Sequence, residues 1–391
     1  MTLPPLWKVY RELDRTRQML HAAVVKLYEP FVQRRYDRNR DSLLQVHTGV
    51  VALGSKVALL LIYQPRGVSS SVRLTCDHLL AKGYSTLVIS NGPLSADSLM
   101  PLIARAWQVV IRPNYGYDFG GYRDGILWLR DRGISPDRLV LLNDSIWFPV
   151  WPDETFLARM EASDCDVVGA VIHGRQKRRK LSKDRPAFLE SYFYLINRPA
   201  LDGDAFRRFW DDYQVSSIKF NAVYRGERSF SGFLEEAGHS VQGLVDAEAA
   251  FASIRLQDND FLRKTLNYGA YTDPDFDAER DLLLAADHKR AGWRDEALGH
   301  VQKVLRRRSS YASFPFASFH LLGVPFVKKS RLMFFGKSFG TVQIKMRTQL
   351  LRAIDAGDIP QPFPEVLAEI RAIEAPTTSS AVGPERARQA K

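Results

Sequence analysis

The chain has 391 residues, 45% hydrophobic and 25% charged, with a formal net charge of +11. This is the composition of an ordinary globular protein with room for one large domain or two. No run of about 18 apolar residues occurs, which argues against a membrane-spanning helix. Residues 1–20 alternate charged and apolar side chains and lack the apolar stretch of a signal peptide. The two cysteines, Cys76 and Cys165, have no metal-ligand spacing and suit a reducing cytoplasm better than a disulfide framework. The positive charge lies in local runs, Arg34–Arg40, Arg175–Lys183, Arg306–Arg308 and Lys328–Arg331. No zinc-finger, RNA-recognition or basic-zipper pattern accompanies them, so nucleic acid is not the expected partner. The last run lies among aromatic residues between Phe314 and Phe335, which predicts a cytoplasmic protein resting on the anionic inner face of the cell membrane.

Residues 1–50 read as a basic helical segment, with Leu6, Tyr10, Leu13 and Leu20 at roughly helical spacing. Val57–Tyr63 is a continuous apolar run of strand length, broken by Pro65 and Gly67, as expected of a central parallel strand covered on both faces. Ser69–Lys82 follows as a helix, capped by Ser69 or Ser70 and stopped at Gly83. Thr86–Ser90 is the next strand, Ser95–Trp107 a helix, and Gln108–Arg112 a third strand. A helix over Gly120–Arg132 and a strand over Leu139–Leu142 come next; Asp166–Ile172 and Ser191–Ile196 add two more strands. Such alternation with short connections predicts an α/β layered sheet with right-handed crossovers. Arg175–Pro186 reads as a basic loop, the β pattern stops near residue 255, and Glu279–Arg308 is helical. The expected division is a basic helical segment 1–50, an α/β domain 51–255 that carries the strand-end clusters, a helical region 256–374 that contacts a membrane surface, and a disordered tail 375–391.

Two polar clusters carry the chemistry. The first, Asn114–Gly125, surrounds a helix start with Asn114, Gly116, Asp118, Arg123 and Asp124. Carboxylates are favoured there by the helix dipole and can hold sugar hydroxyls, while Arg123 is suited to a phosphate. Its glycines serve equally well for a tight loop and close helix–sheet packing. The second cluster, Asn143-Asp144-Ser145, ends a strand. Asp144 there can bind Mg²⁺ or Mn²⁺ together with substrate phosphates, hold a sugar hydroxyl, or cap the turn. Ligands of α/β sheets bind at the carboxyl ends of the strands, where Tyr63 and Asn91 also lie. Neither GxxxxGK[ST] nor GxGxxG follows the first strand, and no GxSxG occurs, so a P-loop, a dinucleotide site and a hydrolase triad lose support. His173 closes another strand, either at the site or as a structural residue.

The layout of strand, Asn-x-Gly, glycine-bearing helix and strand-end acid resembles that of the GT-A glycosyltransferases. Asn114–Gly125 with Leu142–Ser145 resembles more closely the rhamnan synthesis protein F family of bacterial polysaccharide rhamnosyltransferases. Ser191-Tyr192-Phe193, Phe206–Trp210, Gly226–Leu234 and His320–Lys329 are similar to its later blocks. The resemblance implies a GT-A-like Rossmann-type sheet flanked by helices, with helical N- and C-terminal regions. It also implies transfer of rhamnose or a related deoxyhexose from a nucleotide sugar to a cell-surface polysaccharide or lipid-linked glycan.

Carried over, the strand ends at Tyr63 and Asn91 hold the nucleotide, and Asn143-Asp144-Ser145 stands where Asp-x-Asp meets the diphosphate. Asn143 and Ser145 replace both acids of that pattern, which leaves Asp144 as the one candidate ligand for Mg²⁺ or Mn²⁺. Arg175–Lys183 is the expected electrostatic substitute. Glu227 opens a helix where the resemblance implies an acid, and is the expected base for the acceptor hydroxyl. Asp118 and Asp124 are its rivals, and a dipole preference alone also explains Glu227. A scaffold that binds nucleotide or carbohydrate without catalysis is the alternative reading.

Overall fold

The structure, a computed structural model, describes residues 6–174, 187–330, 333–334, 337–338 and 342–374. The expected basic loop at 175–186 and the tail at 375–391 lie outside the described residues. In chain order the helix α1 (Leu6–Leu43) precedes β1 (Gln45–Thr48), β2 (Lys56–Ile62), α2 (Ser70–Ala81), β3 (Tyr84–Ser90), α3 (Ala96–Ile103) and β4 (Gln108–Ile111). Then come α4 (Tyr117–Asp131), β5 (Arg138–Asn143), β6 (Ile146–Trp147), β7 (Val167–His173), β8 (Phe188–Leu189), β9 (Phe193–Asn197) and β10 (Val241–Val245). Helices fill most of the chain beyond β10, apart from a short β11 (Val327–Lys328) and a small hairpin.

Nine strands form one sheet in the order β1-β4-β3-β2-β5-β9-β7-β10, with β8 paired to β7. β2, β3, β4 and β5 are parallel, β9 runs antiparallel between β5 and β7, and β10 is parallel to β7. This is the GT-A-like mixed α/β sheet that the resemblance implies. β1, β6, β8, β10, β11 and the small hairpin are not among the expected strands. The first pairs antiparallel at the exposed edge of β4, and the others are short or carry glycine and glutamine, so no apolar run announces them.

The unbroken apolar run of β2 has a direct cause, because both faces of the sheet are covered. Ala58, Leu60 and Ile62 face one core with Val72, Cys76 and Leu79 of α2. Trp293, Leu350 and Ile370 join that same core, so the helices beyond β10 close over the sheet. Val57, Leu59 and Leu61 face the other core, against Phe119, Tyr122 and Ile126 of α4 and the aromatic group Phe206, Phe209, Trp210 and Phe230. Alternation of period two along β2 therefore sorts six apolar side chains between two layers.

The expected peripheral place at the inner membrane face is corrected here. Among the described residues no helix is long and apolar enough to cross a membrane. The aromatic residues that prompted the idea, Phe314, Phe316 and Phe326, are buried in the core. Their neighbours Lys328 and Lys329 face inward to the strand ends, as described next.

Candidate functional site

Parallel pairing ends β2, β3, β4 and β5 along one edge, and β9 begins at that same edge. An open cleft of about 450 Å³ runs along the ends of β2, β3 and β4. Tyr63, Gln64, Asn91 and Asn114 line it, so three of the expected nucleotide residues share one cavity. Gln64 connects the cleft to the second cluster: its Nε2 donates to Asp144 Oδ2 at 2.6 Å, and Tyr63 N donates to the same oxygen at 2.9 Å. Burial raises the Asp144 pKa, while Gln64 and the ammonium of Lys329 work against that rise.

Asn143 shows why an amide stands where the resemblance led to an acid. Its Oδ1 accepts from Ser145 N at 3.1 Å and from Ser145 Oγ at 2.5 Å, which orders the turn. Its Nδ2 donates to Asp118 Oδ2 at 3.3 Å. An ionised carboxylate could not make that second bond and would repel Asp118. Asp118 is exposed to solvent on one side and crowded by protein on others. Crowding, then Asp144, then Glu227 push its carboxyl up to about 6, against Lys219 and Lys328. The direction does not hang on burial alone, because the two neighbouring carboxylates act the same way.

Glu227 opens the helix Glu227–Glu236, and its Oε2 accepts from Ser191 N at 3.0 Å and Ser191 Oγ at 2.6 Å. Glu190, one residue earlier in the approach to β9, lies between His173 Nε2 and Lys328 Nζ, each at 2.7 Å. Burial opposes its ionisation, but Lys328 and His173 outweigh burial and bring the carboxyl down to about 2. His173 thus belongs to an ion-paired wall of the site.

The far wall comes from the stretch around β11. β11 pairs antiparallel with β6, setting Lys328 opposite Ile146, and Lys329 N donates to Ser145 O at 2.8 Å. Lys329 Nζ donates to Ser71 Oγ at 3.2 Å and lies 5.4 Å from the Trp147 ring. Buried Arg347 holds this stretch in place: its Nη1 donates to Lys328 O at 2.5 Å and its Nε to Glu374 Oε1 at 2.6 Å. Sequence reasoning missed Gln64, Glu190 and Lys329 as site residues. In the sequence, Lys328 and Lys329 stand out only as a basic run and as part of a loosely similar block.

The glycine-rich segment divides in two. Asn114 and Asp118 face the site, whereas Arg123 and Asp124 are turned into the scaffold. Asp124 Oδ2 accepts from Arg112 Nε at 2.6 Å and from the Tyr36 hydroxyl, all three groups being buried. Arg112 also donates to Asn91 Oδ1 and to Tyr115 O, so this ion pair props up the cleft from behind. Arg123 is spent on Asp37 at 2.7 Å and on Trp210 O at 3.1 Å, so it does not point at a phosphate. Gly116 has φ +87°, the left-handed turn that starts α4. Gly121 lets α4 touch β2, since a Cβ there would lie 2.3 Å from Leu61 Cδ1.

The donors around Asp144 do not fit a protein-built cation site. Among the described residues no group of three His, Cys, Asp or Glu side chains could hold a metal. One Asp144 oxygen already accepts two N–H bonds, and its sequence neighbours offer an amide and a hydroxyl.

The fold is a GT-A-like mixed α/β sheet with an acid-bearing polar cluster at its strand ends. Residues 86–265 match the family model of rhamnan synthesis protein F. The chain is 30% identical over 264 residues to the uncharacterized protein y4gN of Sinorhizobium fredii, 67% of each chain being covered. The chain belongs to this rhamnan synthesis protein F family. A solved structure of the mannosyltransferase PcManGT from Pyrobaculum calidifontis, in complex with GDP-Man and Mn2+, aligns over 91% of this chain and 90% of that chain. At 10% identity and a TM-score of 0.30, that likeness is too slight to bear on function.

Proposed function

We propose that the protein transfers a sugar, rhamnose or a related deoxyhexose, from a nucleotide sugar to a cell-surface polysaccharide or lipid-linked glycan. The observation that carries this reading is the continuity of the site. A cleft large enough for a nucleoside leads through Gln64 to Asp144, beyond which Asp118 and Glu227 stand as two further acids. In this reading Tyr63, Asn91 and Asn114 hold base and ribose, and the diphosphate lies near Asp144 and Ser145.

The transferred sugar then sits by Asp118, whose carboxylate accepts from its hydroxyls. Glu227 takes the proton of the acceptor hydroxyl as the new oxygen–carbon bond forms at the anomeric carbon. The bond from that carbon to the phosphate oxygen breaks, and its electron pair leaves with the nucleoside diphosphate. Ser191 orients Glu227 through two hydrogen bonds, leaving positioning as the main contribution of the protein.

The test is an assay of purified protein for transfer or hydrolysis across deoxythymidine, uridine and guanosine diphosphate sugars. Asp144→Asn and Glu227→Gln should each lower turnover about 10²–10³-fold with the fold retained. Full activity in both variants, or no turnover of any donor, would remove this reading. Binding of nucleotide without turnover would favour the non-catalytic scaffold instead.

A further inference from the structure

We propose that Lys329 neutralises the diphosphate of the donor and of the leaving nucleotide, in the place where a divalent cation would otherwise stand. The inference rests on the nucleotide-sugar reading above and deepens it by assigning the counter-charge. Asp144 is the acid nearest the expected diphosphate, and a carboxylate beside two phosphates is repulsive unless a cation lies between them. The donors around Asp144 do not build a metal cage, because Asn143 is committed to Ser145 and Asp118, and one Asp144 oxygen to Tyr63 N and Gln64. A cation of the chain itself stands there instead. Lys329 is tied to the Asp144 turn through its own backbone, with Lys329 N donating to Ser145 O at 2.8 Å.

The neighbouring lysine makes the assignment specific. Lys328 is neutralised by Glu190 at 2.7 Å and lies over the Tyr192 ring. Lys329 makes no direct ion pair among the described residues; its ammonium donates to the Ser71 hydroxyl and rests near Trp147. Both of these donate to Glu369, so Asp144 and Glu369 are the acids that act on Lys329. Two consecutive lysines thus divide the work, one ion-paired in the wall and one beside Asp144 and Glu369 with no direct ion pair to either. The support beneath them is rigid, since β6 and β11 pair and the buried Arg347 holds the Lys328 carbonyl. A charge fixed before the reaction stabilises the departing diphosphate without reorganising. In the transfer step the electron pair of the broken carbon–oxygen bond moves onto the terminal phosphate oxygen. Lys329 Nζ donates a hydrogen bond to that oxygen and keeps its proton.

The experiment is calorimetric titration of the full-length protein in EDTA with uridine, guanosine and deoxythymidine diphosphates and their parent nucleosides. The wild type should bind one diphosphate about tenfold or more tighter than its nucleoside, the scale of a charge-assisted hydrogen bond. Lys329→Met should erase that preference and leave nucleoside affinity unchanged, which also shows that the variant is folded. Lys329→Arg should retain part of it. An undiminished diphosphate preference in Lys329→Met, or one that arises only with added Mn²⁺, overturns the inference while leaving the nucleotide-sugar reading intact. If neither nucleosides nor diphosphates bind under any condition, that reading falls and this inference with it.

Discussion

Behind the strand ends, Arg112 and Asp124 form a buried charge pair, with Tyr36, Asn91 and the Tyr115 carbonyl hydrogen-bonded to it. In front of the same strand ends, Asp144 and Glu227 both press on Asp118, with Lys219 and Lys328 opposing them there and Lys329 acting on Asp144. The rear network is electrostatically complete and the front one is not. Clustered like charges lower the stability of the folded chain, so their retention marks a place where a ligand supplies what is missing. Both regions draw on the same short stretch of sequence, since Asp118 and Asp124 lie on one helix.

Three substitutions test that contrast. The largest effect belongs to the sealed side. Asp124→Ala leaves the Arg112 guanidinium buried and unpaired, and should cost about 3–5 kcal/mol of stability in a denaturant titration. A fully stable Asp124→Ala would mean that the network is not closed. Next comes the contact that brings the two regions together. Gly121→Ala places a methyl group against Leu61 and should destabilise by about 1–3 kcal/mol through overpacking, while also displacing Asn91 and weakening nucleotide binding. An unchanged melting temperature would show that α4 can lift off β2 freely.

The smallest effect lies on the open side and has the opposite sign. Crowding and the neighbouring Asp144 and Glu227 push the Asp118 carboxyl up to about 6 in the folded chain, from its ordinary value of 3.8. The folded state therefore holds more protons than the unfolded state between those values, and this group's contribution to stability falls as pH rises through that window. Asp118→Asn should accordingly raise the melting temperature at pH 7–8 and lose that gain below about pH 4. Glu190, drawn down to about 2, runs the other way: its contribution is present above the ordinary glutamate range and fades as pH falls toward 2. A destabilised Asp118→Asn at neutral pH would show that the front acids are not in conflict.

Much of the layered architecture was legible because it follows from local rules. The apolar runs of β2, β3 and β5 are long, and the chain breaks at Gly83 and at Asn91-Gly92 are strong punctuation. The site was legible in part: Tyr63, Asn91, Asn114, Asp118, Asn143 and Asp144 do gather at one edge, since parallel strands bring their carboxyl ends together. Asp118 and Asp124 could not be told apart from spacing. They are six positions apart, so a helix of 3.6 residues per turn sends them to different neighbours, and only the docking of α1 shows which one is sealed. Gln64, by contrast, was overlooked because a lone glutamine after a strand carries no motif.

Read by itself, the sequence determined the strand–helix alternation, the sheet edge where the polar clusters gather and the identity of the acids placed there. Tertiary structure alone decided what balances those acids. Lys328 and Lys329 are separated from Asp144 by nearly two hundred positions, and their charge and aromatic neighbours suit a membrane surface as well as a buried wall. Pairing of β6 with β11 and the anchoring of Arg347 turn them inward. The physical reason is range: hydrophobic period and turn chemistry act over a few residues, whereas charge compensation depends on which distant segments share a low-dielectric space.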